Sequence, residues 1–562
     1  MATMIMKGLS KSRYTAFCQC PKNLWLKVYK PEEAPVDEAL QARFEQGNLV
    51  GDLAMGLFGN FKEAHAELPD GKLDLGKMVE QTRQWMKEGV ENIAEASFVY
   101  EREHRVENAL LDPDKPLFKT WKESHYCAVD ILRKMADGWA IYEVKSTSFP
   151  EFNGQETKLE KYAPDIAYQK WVLTQCGINV TGTYLVCLNS DYVRQGGLDI
   201  QQLFVVKDMK AMVDDEYLKV PARVSQALKV LKSEQEPDLD LSECCMKPYG
   251  CAFFDYCKRQ NGVTSPSVFD LYGVGFSFKK KLDSYHQGLI TFEDLRSTDI
   301  GPIQNMQIEA ALTGKEFINP DGIRKFLEKI TYPIYFLDFE TMQDAVPQYD
   351  GAKVYAQITF QYSLHIKAAS KREQSDTSIG SAEREQARPE VKPSATAPYD
   401  HNEYLAPSDG SDPRRKLAEH LCKDIPKDAC TLAYNKMFEC GRIRELAKLY
   451  PDLSDHLLNI ADHIIDLIDP FRAGDYYVPA MGGSFSIKSV LPALFPGDPE
   501  LDYHNLDERC QNGGDAMNIF PRLQFMEPEE AEASRQALLN YCKLDTWAMV
   551  KVWEKLKEKA GL

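Results

Sequence analysis

Three groups of residues in this chain have types and spacings that can do chemistry. The first is Asp130, within HYCAVDIL, followed by Glu143 and Lys145 within GWAIYEVKSTSF. Residues two apart on a strand share a face, so Glu143 and Lys145 project together, and Asp130 on a paired strand can join them. Two carboxylates bind a divalent cation through oxygen. A lysine beside them can orient or polarise an attacking water and steady a scissile phosphate. An isolated Glu-x-Lys reads as an exposed ladder pair. The preceding Asp130, the hairpin and Ser146-Thr147-Ser148 turn the reading towards a site.

The second group begins with Asp338-Phe339-Glu340, which closes the apolar run PIYFLDF. Both carboxylates face one side of the strand, and burying such a pair is costly unless a cation neutralises it. AYNKMFECGRI adds Asn435 and Glu439, and NYCKLDTWAMV adds Tyr541 and Asp545 one helical turn apart. Four acids and a tyrosine suit a two-metal phosphodiester site, in which the ions activate water and stabilise the leaving oxygen. The third group is sulfur. Of 14 Cys, Cys18 and Cys20 form one short segment, and Cys244, Cys245, Cys251 and Cys257 another. Met1 to Lys11 has no apolar signal-peptide region, so clustered thiols read as a metal site before a disulfide framework. Four thiolates can ligate a [4Fe–4S] cluster or zinc, and donor chemistry alone leaves both open. The scattered Cys read as reduced, buried thiols.

The elements that must position these groups are legible in outline. Residues 43–57 have helical spacing. Residues 125–149 read as two strands turning at Asp137-Gly138, followed by a helix near 163–175 and a strand at 181–188, which together form an α/β unit. Residues 263–318 read as short helices, with an apolar–Gly–Val–Gly turn before a basic helix start at Lys279. Helix-start amides and lysines there can hold a phosphate. Strands are expected at 333–339 and 354–365, then a helix at 413–423, a strand at 429–434, a helix at 437–449 and a final helix at 530–558. Residues 367–398 are polar and rich in Ser, Glu, Lys and Pro, and read as a disordered insertion.

Composition bounds the function. The chain has 562 residues with 44% hydrophobic, enough for several domain cores. No run of about 18 apolar residues suggests a membrane span. Lys plus Arg number 67 and Asp plus Glu 85, a formal charge of −18, so nucleic acid must be met by local basic patches. The clearest patch is residues 1–31, where Lys11, Arg13 and Lys22 lie among other bases and no acid.

VDILRKMADGWAIYEVKSTS resembles the core of the RecB-like PD-(D/E)XK nucleases, and DIAYQKWVL resembles their following helix, with Gln169 in the family's Gln position. The resemblance implies catalytic roles for Lys145 and Gln169 and metal ligation by Asp130 and Glu143. The sequence departs twice. Leu173 stands where an aromatic is usual, and GNLVGDLA lacks the His often found in the first helix, leaving Asp52 as the substitute ligand. Cys20, followed by Pro21, with Cys245, Cys251 and Cys257 resembles the iron–sulfur staple of CRISPR-adaptation and exonuclease-V-type nucleases. It implies a structural [4Fe–4S] cluster, with Cys18 and Cys244 as spare candidates and zinc as the alternative metal. The second group resembles the DnaQ-like DEDD 3′–5′ exonucleases, in the variant with Tyr four residues before the last Asp. It implies metal ligation by Asp338, Glu340, Glu439 and Asp545 and a catalytic Tyr541, with Glu439 where the family usually has Asp. GGSFSIKSVLPAL resembles that family's substrate-side segment, in which Lys488 meets a phosphate. The order of parts resembles a bacterial family of fused nucleases.

The expectation is an α/β protein. A restriction-endonuclease-like domain spans 1–262, a small helical module resembling a helix–hairpin–helix spans 263–330, and an RNase H-like exonuclease domain spans 331–562. The expected activity is a two-site DNA nuclease using Mg²⁺ or Mn²⁺, cytoplasmic, in DNA repair, recombination or defence against foreign DNA. It would act on single strands or free ends, with contacts from Lys11, Arg13, Lys22, Lys279, Asn435 and Lys488. RNA is the alternative polymer, since no residue is identified that reads a 2′-hydroxyl. A nucleic-acid-binding scaffold with one or both sites silent is the alternative from another class, kept open by Glu439 and Leu173.

Overall fold

The computed structural model describes residues 8–35, 38–108, 117–150, 158–298, 300–369 and 399–562. Apart from Lys367–Ala369, the expected insertion lies outside the described residues. The chain is mixed α/β and divides into two compact units. One comprises Met1–Gly262 with Asp344–Tyr355, and the other Val263–Gln343 with Ala356–Leu562. Residues 263–330 thus fall inside the second unit.

The first unit is built on a seven-stranded sheet. Its strands are β1 (Leu9–Ser10), β2 (Lys62–Glu63), β3 (Asn92–Asn108), β4 (Leu117–Met135), β5 (Gly138–Phe149), β6 (Val180–Asn189) and β7 (Phe204–Asp208). The order is β2-β3-β4-β5-β6-β7, with β1 pairing β4. β4 and β5 form a hairpin closed by the pair Met135–Gly138. Gly138 is required there, because a Cβ would lie 2.4 Å from the Asn179 carbonyl oxygen. β5 and β6 run parallel, joined through the helix Ala163–Gln175.

That helix buries Ile166, Ala167, Tyr168, Val172 and Leu173 against Val129, Ile141, Leu185 and Cys187. Leu173 is therefore a core residue. The opposite side of the sheet carries Ile131, Ala140, Tyr142 and Val186. They are covered by Val50, Ala54 and Leu57 and by Ala345, Val346 and Val354 of the returning segment. The expected helix at 43–57 runs Glu38–Met55. The helix Leu75–Glu88 and β3 have no counterpart in the sequence reading. β3 continues into EREHRVEN, whose dense charge hides the strand pattern.

The basic N-terminal stretch forms helices Lys11–Gln19 and Pro21–Tyr29. Lys22 is buried and pairs with Glu236 at 2.9 Å, and Lys30 meets the same carboxylate at 3.1 Å. Lys22 is thus neutralised inside the fold, which corrects its assignment as a phosphate contact. The Arg13 guanidinium donates to the Gly8 carbonyl at 2.6 Å.

The second unit contains β8 (Phe317–Ile318), β9 (Ile334–Gln343), β10 (Gln357–Lys367), β11 (Asp400–Leu405), β12 (Cys430–Ala433), β13 (Ile464–Asp466) and β14 (Tyr476–Tyr477). Five of these form a sheet ordered β11-β10-β9-β12-β13, and β14 pairs β8 separately. β9 alternates cleanly. Tyr335, Leu337 and Phe339 face a core with Leu417, Leu421, Ile443 and Leu446. Ile334 and Phe336 face the long helix Pro528–Ala560 through Ala548, Val552 and Trp553. Asp338 and Glu340 continue the second face. Before β9 come the helices Phe278–His286 and Pro302–Thr313. Lys279 is exposed, and Lys280 donates to the Gly275 carbonyl at 2.8 Å across the turn.

Candidate active sites

In the first unit, the antiparallel β4–β5 pair sets Asp130 beside the strand that carries Glu143 and Lys145. Glu143 is buried and heavily bonded. Lys11 Nζ reaches both its oxygens at 3.1 and 3.2 Å, Lys145 Nζ donates at 2.5 Å, and Gln169 Nε2 donates at 2.6 Å. Lys145 also donates to Asp165 at 2.8 Å. Asp130 accepts the Val144 amide at 2.6 Å and lies 3.7 Å from Lys11. Burial alone would raise the Glu143 carboxyl, but Lys11 and Lys145 hold it well below the ordinary range. Burial and the Glu143 charge push Asp130 up to about 6.

Asp130, Glu143, Lys145 and Gln169 are thus brought together, with Lys11 added. Asp52 is exposed on its helix. Besides Asp165, a further acid close to Asp130 and Glu143 is Glu95, pushed up to about 7 by burial and by the Asp130 charge. Glu95 falls opposite Asp130 on β3, between the pairs Ala94–Ile131 and Ala96–Val129, with a positive φ of 52°. No sequence signal marked Glu95, because β3 itself was not read as a strand. Asp165 was findable, because it lies one turn before Gln169 on the same helix. Asp165 Oδ1 and Gln169 Oε1 are buried without a hydrogen-bond partner. These orphaned oxygens and the surrounding carboxylates fit a divalent cation.

The thiols converge in the same unit. Cys20 ends one N-terminal helix and begins the next, and its thiol lies beside Cys244. Cys244 also lies beside Cys245, and its Sγ is 2.9 Å from the Ser242 hydroxyl. The Cys251 amide donates to the Cys245 carbonyl at 2.8 Å, and Cys251 and Cys257 pack around Trp25 and Tyr256. Cys20, Cys244 and Cys245 lie side by side with Cys251 and Cys257 nearby, but among the described residues the group of ligand atoms within 4.8 Å of one another is that of Asp338, Glu340 and Cys542, not these thiols. Cys18 stands apart beside Arg223 at 3.9 Å. The five thiols are free and partly buried, and their donor chemistry suits a thiolate-ligated metal. Between this loop and the end of β5 lies a cavity of about 840 Å³, lined by Thr147, Ser148, Lys158, Lys161 and Lys247 among others.

In the second unit, β9 supplies Asp338 and Glu340, and the long helix supplies Tyr541, Cys542 and Asp545. Glu439 comes from the helix Met437–Leu449, and Lys488 from Ile487–Leu494. Lys488 Nζ lies 3.1 Å from Asp545 and 3.3 Å from the Tyr541 hydroxyl. The Tyr503 hydroxyl donates to Asp545 at 2.5 Å. Burial, and then the Asp545 charge, drive Asp338 and Glu340 well above the carboxylate range, opposed by Lys488. Burial pushes Glu439 up to about 8. Glu439 Oε2 is buried without a partner. So many close acids cannot all ionise without added positive charge, and the donor set fits divalent cations.

All four expected acids and Tyr541 share this site. Lys488 points at Asp545, so it reaches the centre itself. The Asn435 amide donates to Asp466 at 2.8 Å, and its side chain accepts from Arg472 at 3.2 Å. Its positive φ of 71° lets β12 turn into the Met437–Leu449 helix. Tyr503 and Cys542 were missed. Cys542 could have been noticed as the neighbour of Tyr541, while Tyr503 had no motif to mark it.

A family model described as a domain of unknown function (DUF2779) matches residues 335–486. The match takes in Asp338, Glu340, Asn435 and Glu439 and stops before Lys488, Tyr541 and Asp545. No curated protein matches the chain.

Proposed function

We propose that this chain is a divalent-metal-dependent nuclease with two centres, one in each unit, acting on DNA. The observation that carries the reading is the second centre. Asp338, Glu340, Glu439 and Asp545 converge there, with Lys488 as the cation acting on Asp338 and Glu340. Such a site is stable with its acids ionised only when divalent cations enter. Those cations supply Lewis-acid activation of water and charge for the leaving oxygen. Tyr541 and Tyr503 place hydroxyls at Asp545, where they can orient a nucleophile. In the first centre, Asp130, Glu143 and Asp165 hold a cation, and Lys145 steadies the phosphate. The converging thiols are read as an iron–sulfur centre with a structural role. Among the described residues no helix is long and apolar enough to cross a membrane.

The test is digestion of end-labelled single- and double-stranded DNA and RNA with Mg²⁺ or Mn²⁺. Lys145→Ala should abolish one activity and Asp338→Ala a distinct 3′–5′ activity, each by about 10²-fold or more. If both substitutions left every activity of the wild type unchanged, the reading would fail.

A further inference from the structure

Cys542 is fully buried one residue after Tyr541 and three before Asp545. Its Sγ and one carboxylate oxygen each from Asp338 and Glu340 all lie within 4.8 Å of one another. Other buried thiols, such as Cys127 and Cys187, sit in an apolar core. The Cys542 Sγ lies 3.9 Å from the Asp338 carbonyl, a long and weak contact. A separate observation points to a ligand here. Glu439 is 2% exposed, its Oε2 has no partner, and its charge acts on both Asp338 and Glu340. A magnesium site needs oxygens in an octahedron, so sulfur in this cage adds nothing to it. Zinc binds cysteine sulfur and carboxylate oxygen together, in a tetrahedral set.

We infer that Asp338, Glu340 and Cys542 form a site for a thiophilic divalent cation of the zinc class, overlapping the place of the activating ion, so that zinc displaces that ion. Binding stands on the donor set alone. The displacement rests on the nuclease reading.

The full-length protein is titrated with cadmium, a spectroscopic substitute for zinc, as wild type, Cys542→Ser, Cys542→Ala and Asp338→Asn. The thiols around Cys20 contribute equally to all four. Wild type should bind about one equivalent more than either Cys542 variant, with ultraviolet sulfur–cadmium absorbance that both lack. Asp338→Asn should keep that absorbance but weaken binding by about tenfold or more. Melting curves without added metal confirm that the variants fold, and the alanine variant carries the test if serine does not. Zinc inhibition of 3′–5′ activity, scaled to each variant's own magnesium-supported rate, should need about tenfold more zinc in Cys542→Ser. Equal cadmium uptake and absorbance in wild type and both Cys542 variants would overturn the site, even if nuclease activity is present. Unchanged cadmium affinity in Asp338→Asn would also overturn it, since the thiol would then bind alone. The cadmium difference without any nuclease activity would uphold the site and overturn the nuclease reading instead.

Discussion

Glu439 sets the chemistry of the second centre at the level of one side chain. Its carboxyl sits near pKa 8 because it is buried, and a metal ligand must be ionised to bind. The cation concentration for half-maximal 3′–5′ activity should therefore fall as pH rises through about 8 in wild type. Glu439→Gln should remove that trend. Without metal the sign reverses for stability: a raised carboxyl stabilises the fold below its unfolded value of about 4.3 and loses that contribution as pH climbs through 8. Tyr541 is too strongly held in its protonated form, by burial and the Asp545 charge, to act as a base. Tyr541→Phe should lower kcat by about 10²-fold with little change in KM, measured in a 3′-end digestion series. Glu439→Asp, with the shorter ligand, should shift the preference between Mg²⁺ and Mn²⁺. Residues on a two-residue repeat or a helical turn, such as Glu143 with Lys145 and Tyr541 with Asp545, were legible in sequence. Glu95 was not, because the strand that carries it was not recognised and its partner Asp130 lies on another strand.

Elements carry a second set of consequences. β10 and β11 pair antiparallel and bring His365 over His401, with ring centres 4.5 Å apart. His365 Nδ1 and Ser363 Oγ both bond the Thr546 hydroxyl, at 2.8 and 2.7 Å. Burial pulls His365 down to about 3 and His401 to about 4. A depressed imidazole contributes stability that is present above its unfolded value of about 6.5 and is lost as pH falls towards the folded value. The second unit should lose roughly 1 kcal/mol per pH unit for each His between about pH 6 and 4. Acid unfolding followed by circular dichroism should show a shallower fall in His365→Gln. In the first unit, Gln19 ties the N-terminal helices to a loop more than 220 residues away, its side-chain amide donating to the Cys244 carbonyl at 3.1 Å. Anaerobically purified protein should be brown, and Cys257→Ala should bleach it and lower the melting point of that unit. Stoichiometric zinc without iron would assign the centre to zinc. Helices with strong punctuation were readable to within a few residues, as at Met437–Leu449. β11 was not readable, because DHNEYL is polar and earns its place by pairing β10.

At the scale of the whole molecule, the chain does not finish its first unit before it begins the second. Ala345, Val346 and Val354 complete the core around Val50, Ala54 and Tyr142. Gln46 fixes the segment, bonding the Asp344 carboxylate at 3.0 Å and the Ala345 amide at 2.9 Å. Val346→Asp buries an unpaired charge and should cost the first unit about 2–4 kcal/mol. Heat inactivation should then remove the Lys145-dependent activity at a lower temperature and leave the Asp338-dependent one. Sequence reasoning placed a boundary at residue 262 but could not see the return, since no periodicity tells which sheet a loop between two strands will cover.

That return has a consequence during synthesis. A ribosome releases the chain from its N-terminus, and domains generally fold as they emerge. Here Val346 and Val354 are made well over 200 residues after Val50 and Leu57, whose face they cover. The apolar face around Val50 and Leu57 therefore stays uncovered until the start of the second unit, Val263–Gln343, has also been made. An unfinished first unit persists on the nascent chain through that interval, with apolar surface exposed to aggregation. Splitting the gene after codon 262 would leave that face bare for good, so the coding sequence has reason to stay in one piece.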